Sequence, residues 1–181
     1  MTSSTDLILI IVCQCELRAS VVFESIFLVV QTKCPRDWAE FHHDCLMFSA
    51  DSKTWDDAQG VCRQHMAFLL TDDSAQKHDF IRQIVSVLDG VRIRNFFIGG
   101  NDQSIEGQWR WLETGSPITG FTAWAHDKPS ANMSVAMNLN CMMLQWINND
   151  LFWSDWDCKD HSAHYICQKP ASSFTNPPVI G

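Results

Sequence analysis

The chain has 181 residues, 46% of them hydrophobic, with eight cysteines, eight tryptophans, one tyrosine and a formal net charge of −8. That length and apolar content suit one domain with a sizeable core and some extra sequence at its ends, and exclude a wholly disordered chain. The acidic balance, with no cluster of Lys and Arg, argues against nucleic acid as a partner.

In chain order, residues 1–32 are predicted to be a signal-like hydrophobic leader. Leu7 to Cys13 and Val21 to Val30 are apolar, but each is shorter than the roughly 18 to 20 residues that span a bilayer. Joined, they would bury Glu16, Arg18 and Glu24 at about 2.5–3.5 kcal/mol for each central charge. A secreted product is therefore the expectation, and anchoring through this segment the disfavoured alternative. Cys13 and Cys15 leave with the leader, as small apolar residues.

From Lys33 the character changes, and a single domain is predicted over 33–169. Cys34 and Cys45 are close enough to staple a short hairpin, and His42 and His43 lie between them. Adjacent strand residues point to opposite faces, so the two histidines do not converge on one ion. Ser52 to His65 reads as a helix capped by Thr54, with Trp55, Ala58, Val61, Cys62 and His65 on one face. A second helix runs from about Asp73 to Leu88, capped by Asp72 or Asp73, with Phe80, Ile81, Ile84, Val85 and Leu88 as its apolar stripe and Asp89-Gly90 as its end.

Beyond it the period shortens. Asn95 to Gly100 reads as a strand, and Glu106 to Trp111 alternates with Trp109 and Trp111 on one face. Thr114 to Leu139 is too long and too rich in Gly, Ser, Pro and Asn for an ordinary connection and reads as a functional loop, with Trp124 at its start and Pro129 at its apex. Asn140 to Lys169 is β-rich, broken at Asn148-Asn149-Asp150, and 170–181 has the composition of a flexible tail. The six cysteines from Cys34 onward lack Cys-x-x-Cys spacing, so disulfides in an oxidising compartment are expected, and six cysteines allow fifteen connectivities.

Trp55 with Ala58 and Cys62, Phe97-Ile98-Gly99-Gly100, Glu106-Gly107-x-Trp109-x-Trp111, Trp124 with Pro129, Cys141, Trp153-x-Asp155-x-x-Cys158 and Cys167 together resemble the signature of the C-type lectin-like domain, over about Cys34 to Lys169. The resemblance implies an α+β fold: two helices flanking two small antiparallel sheets, a long projecting loop, and disulfide staples. It implies the pairings Cys62–Cys167 and Cys141–Cys158, with Cys34–Cys45 as the extra hairpin of the longer family form.

In sugar-binding members, calcium on the long loop is held by a Glu-Pro-Asn or Gln-Pro-Asp triplet, a Glu two residues before a cysteine, and an Asn-Asp pair. Here those positions read Lys128-Pro129-Ser130, Leu139 and Ser154-Asp155, so Asp155 is the only retained ligand. Calcium wants six to eight oxygens; no metal is expected, and Ala131 and Asn140 weaken a second family position too. The expected function is carbohydrate recognition without calcium, the alternative a protein ligand. Candidate contacts are Lys128, Ser130, Asn132, Ser154, Asp155, Trp156 and Asp157, with Asp127, and with Trp124, Trp153 or Trp156 as stacking surfaces. Trp124 and Trp153 also match positions the family uses for packing, and Asp155 has an equally good role bonding amides of its own loop. Asn132-Met133-Ser134 is an acceptor sequon, and a glycan there would sit on the loop. No Gly-x-Ser-x-Gly elbow, His-Glu-x-x-His pair or phosphate-cradling loop supports catalysis, and His161 and His164 with Asp157 and Asp160 read as a polar turn.

Overall fold

The computed structural model describes residues 34–131 and 136–172, all within the unit Thr32–Gly181; the unit Met1–Gln31, the predicted leader and the Asn132 sequon lie outside the described residues. Ala39–Phe41 (β1) and Asp44–Phe48 (β2) form the first hairpin, closed by the Cys34–Cys45 disulfide. His42 and His43 make its turn, with His42 at φ 51°, so they sit in a turn rather than on strand faces as expected. Among the described residues no group of three metal-ligating side chains forms.

The first helix, α1, is Trp55–Gln64; the Thr54 hydroxyl accepts from the Asp57 amide at 3.2 Å, and Trp55, Ala58 and Cys62 are buried. Phe68–Leu69 (β3) leads to α2, Ala75–Leu88. Its cap is Ser74, whose hydroxyl accepts from the Lys77 amide at 3.3 Å, and not Asp72 or Asp73. Both acids are committed elsewhere: Asp73 pairs with Lys77 at 2.9 Å, and Asp72 is fully buried. A 3-10 turn at Asp89–Val91 ends the helix.

The remaining strands are Asn95–Asn101 (β4), Arg110–Trp111 (β5), Cys141–Ile147 (β6), Asp150–Trp156 (β7) and His164–Pro170 (β8). The main path runs β1-β2-β8-β4-β6-β7, with β3 on β8 and β5 on β4. The two antiparallel sheets are joined by a short parallel pairing of β4 with β8, so the sheet is mixed. Asn148 and Asn149 take φ 53° and 64°, the left-handed pair that a tight hairpin turn between β6 and β7 requires. Trp109 and Trp111 are both buried as the alternation indicated, but only Arg110–Trp111 is strand, because Gly107 at φ 76° turns the chain before it. The last strand reaches Pro170, where Ala171 donates to the His43 carbonyl at 2.7 Å.

One constraint on sequence is backbone approach. A Cβ on Gly99 would lie 2.7 Å from the Leu69 carbonyl oxygen, so β4 passes β3 only without a side chain there. The aromatic core centres on Trp153, fully buried, with Trp111, Phe121 and Trp124 edge-on at 5.7, 5.6 and 5.6 Å. Two further disulfides among the described residues are Cys62–Cys167, which ties α1 to β8, and Cys141–Cys158, which ties β6 to the segment after β7. No helix among the described residues is long and apolar enough to cross a membrane. Replacing Cys141 and Cys158 together by serine is expected to cost about 2–5 kcal/mol, read as a lower midpoint in scanning calorimetry; an unchanged midpoint contradicts a structural role for the bridge.

Candidate ligand-binding site

The long loop is anchored on β7 before it projects. Trp153 donates its amide to the Ala123 carbonyl at 2.7 Å, and Ala125 donates back to the Trp153 carbonyl at 2.8 Å, so Ala123 to Ala125 runs as a short extra rung beside the strand. Asp127 then turns the chain at φ 59° into a cis Lys128-Pro129 bond. The apex is fastened by one carboxylate. Asp155, 1% exposed on β7, accepts the Ser130 amide on Oδ2 at 2.8 Å and has the Lys128 Nζ 2.6 Å from Oδ1.

The other expected contacts divide around this pair. Ser154 is buried beside Asp155, and its hydroxyl has no partner among the described residues. Trp153 has no exposed face, so it packs and does not stack on a ligand; Trp124 is half-buried with its ring 4.9 Å from Trp109. Trp156, a candidate stacking surface, is half-buried against the Cys141–Cys158 cluster and edge-on to His161 at 5.9 Å. Asp157 accepts the amides of Lys159 and Asp160 on one oxygen, each at 2.7 Å, and these bonds hold its carboxyl below the usual range. Asp127 forms an exposed pair with His126 at 2.7 Å.

The profile of the Lectin C-type domain family matches residues 51–169. The chain belongs to the C-type lectin family. It is 29% identical over 139 residues to human C-type lectin domain family 17, member A, covering 77% of this chain and 33% of that protein. The first curated relatives are longer, and this chain spans 33% to 61% of their length. Among solved structures it resembles the mouse scavenger receptor C-type lectin carbohydrate-recognition domain (25% identity, TM-score 0.66, 77% of this chain and 99% of that one). It also resembles a calcium-independent type II antifreeze protein (25% identity, TM-score 0.64, 77% and 95%). C-type lectin domains as a class are binding modules for glycans or proteins.

Against that family pattern, the residues here do not fit calcium. The one carboxylate at the expected position has its two oxygens taken by an ammonium and an amide, Lys128 brings a positive charge, and Leu139 offers no side-chain oxygen.

A second polar cluster in this lectin domain, not anticipated from the sequence, lies under the base of the loop. His78 on α2 has Nδ1 2.6 Å from Asp72 Oδ2 and Nε2 3.0 Å from the Leu151 carbonyl, and the Trp153 indole donates to the same Asp72 oxygen at 2.7 Å. A carboxylate and a carbonyl only accept, so the network assigns a proton to each ring nitrogen and makes His78 an imidazolium. Burial by itself lowers its pKa, but the Asp72 hydrogen bond and charge, the Leu151 carbonyl and Asp150 outweigh burial and hold it above the ordinary 6.5. Phe121 of the loop packs on this ring at 5.4 Å. The cluster thus ties α2, β7 and the loop together.

Because the folded pKa is raised, the stability this pair contributes is fully present below the ordinary value of 6.5 and is lost as pH rises through the folded value. Urea midpoints are expected to fall between about pH 6 and pH 9, and His78→Gln to flatten that fall; parallel profiles for the two proteins contradict the assignment.

Proposed function

We propose that this domain is an extracellular, non-enzymatic binding module that recognises carbohydrate without calcium. The observation that carries the reading is the 2.6 Å contact of Lys128 with buried Asp155. In a calcium-dependent site the ion neutralises the carboxylates and also offers open coordination positions to a ligand. Here the lysine supplies the neutralising charge from within the chain and offers only N–H donors, so sugar hydroxyls are held by side chains directly. The resemblance to a carbohydrate-recognition domain supports the glycan, and the resemblance to a calcium-independent antifreeze protein supports a fold that needs no ion. Three disulfides support export to an oxidising compartment. We further propose that Asn132 carries an N-linked glycan, which mass spectrometry of the secreted chain before and after glycosidase reads directly.

Binding of the full chain to a glycan array is expected to persist when chelator replaces calcium. Loss of all binding in chelator overturns the calcium-free reading, and a folded chain that binds no glycan in either condition transfers the function to a protein ligand. Lys128→Met, which leaves Asp155 buried without its cation, is expected to cost about 1–3 kcal/mol in urea denaturation; a neutral effect contradicts the role given to the pair.

A further inference from the structure

We infer that the saccharide sits in the pocket beside the Cys141–Cys158 disulfide, and that it is a terminal, uncharged pyranose; this rests on the carbohydrate reading above. The pocket has a volume of about 360 Å³ and opens between the segment Met137 to Asn140, Gln103 after β4 and Asp157 to Lys159 after β7. That is at the small end of ligand sites, about 300–1,000 Å³, which suits one sugar residue and not an extended chain.

Three of its polar side chains share one arrangement: half of each group is spent on holding position and the other half is left for a ligand. Gln103 points its amide nitrogen at the sulfurs of Cys158 and Cys141, at 3.5 and 3.7 Å, which leaves its oxygen uncommitted among the described residues. Asn140 donates its amide to the Met137 carbonyl at 3.1 Å while its backbone carbonyl takes the Asp102 amide at 3.2 Å, so its side-chain oxygen is likewise left over. Asp157 spends Oδ1 on the amides of Lys159 and Asp160 and keeps Oδ2. Three acceptors on pinned side chains, beside the exposed Asn138 carboxamide and Lys159 ammonium as donors, match hydroxyl groups, which both donate and accept. Ordering them in advance removes much of the entropy a flexible site would lose on binding.

Two further features set the class. Asp157 and Lys159 are the pocket's two charged groups and cancel, so the site has no excess charge to attract an acidic sugar. Met137, 64% exposed, gives a flexible apolar wall beside Cys158 for the C–H face of a pyranose. The Lys128–Asp155 pair, by contrast, already has its charges matched within the chain.

The test is NMR titration of the ¹⁵N-labelled full chain, in chelator, with neutral methyl hexosides and the matching uronic acids. The side-chain amide signals of Gln103, Asn138 and Asn140 are expected to shift with a neutral hexoside, and Asn138→Ala and Lys159→Ala, at exposed positions, each to weaken binding about fivefold, as for one lost hydrogen bond. Tighter binding of the uronic acids overturns the uncharged class. Shifts at the Ser130 and Asp155 amides, with both variants binding normally, overturn the pocket and leave calcium-free carbohydrate recognition standing. No shift with any sugar, from a chain that also binds nothing on the glycan array, overturns both.

Discussion

The burial of Trp153 is the constraint on which the rest of this domain depends. Its indole is fully enclosed, meets the rings of Trp111, Phe121 and Trp124 edge-on, and gives its N–H to Asp72. Its own backbone N–H and C=O are spent on the long loop through Ala123 and Ala125, and the pairing Leu144↔Trp153 fixes the register of β6 against β7. Truncating a side chain of this size in a packed core typically costs about 3–5 kcal/mol. Here the loss would spread further, because loop, helix α2 and hairpin meet at this one residue. Two positions along the strand the same register delivers Asp155 to the apex of the loop.

At that apex the electrostatic problem is the same as in a metal site and the solution is different. A carboxylate 1% exposed needs a counter-charge and filled lone pairs, since an unpaired buried ion costs several kcal/mol. Lys128 provides the charge beside Oδ1 and the Ser130 amide the hydrogen bond to Oδ2, both from the same turn. A tethered cation has no dissociation equilibrium to obey, but it has no vacant coordination positions either. The structural half of a metal's work is retained; in the site proposed above the half that engages a ligand passes to other side chains, and Gln103, Asn140 and Asp157 have acceptors left over among the described residues.

Much of the architecture was legible in the residues because local rules and tertiary packing agree there. Thr54 caps α1 as its hydroxyl and spacing indicate, and Asn148-Asn149 makes the turn that two left-handed residues allow. The disulfide pairing was legible only through family resemblance, since spacing leaves fifteen choices. The cap of α2 was misplaced because Asp72 and Asp73 are as good as Ser74 by local chemistry; what removes them is a tryptophan 81 residues away and a lysine on the helix. The same long range hid His78, which reads as an ordinary helical residue until Asp72 and Leu151 flank it. Lys128 and Asp155 were each visible as departures from or survivals of a metal pattern, yet nothing in the sequence says that they neutralise each other across 27 residues. Gln103, Asn138 and Lys159 carry no sequence signal at all, because a pocket between three loops exists only once the strands beneath them are in register.

The measurement that bears most directly on the tethered cation is a crystal structure of the domain grown in excess calcium. Lys128 Nζ is expected within ion-pair distance of Asp155, with the Ser130 amide on the other carboxylate oxygen and no ion density between them. An ion bound to Asp155 with the Lys128 side chain swung into solvent would contradict it.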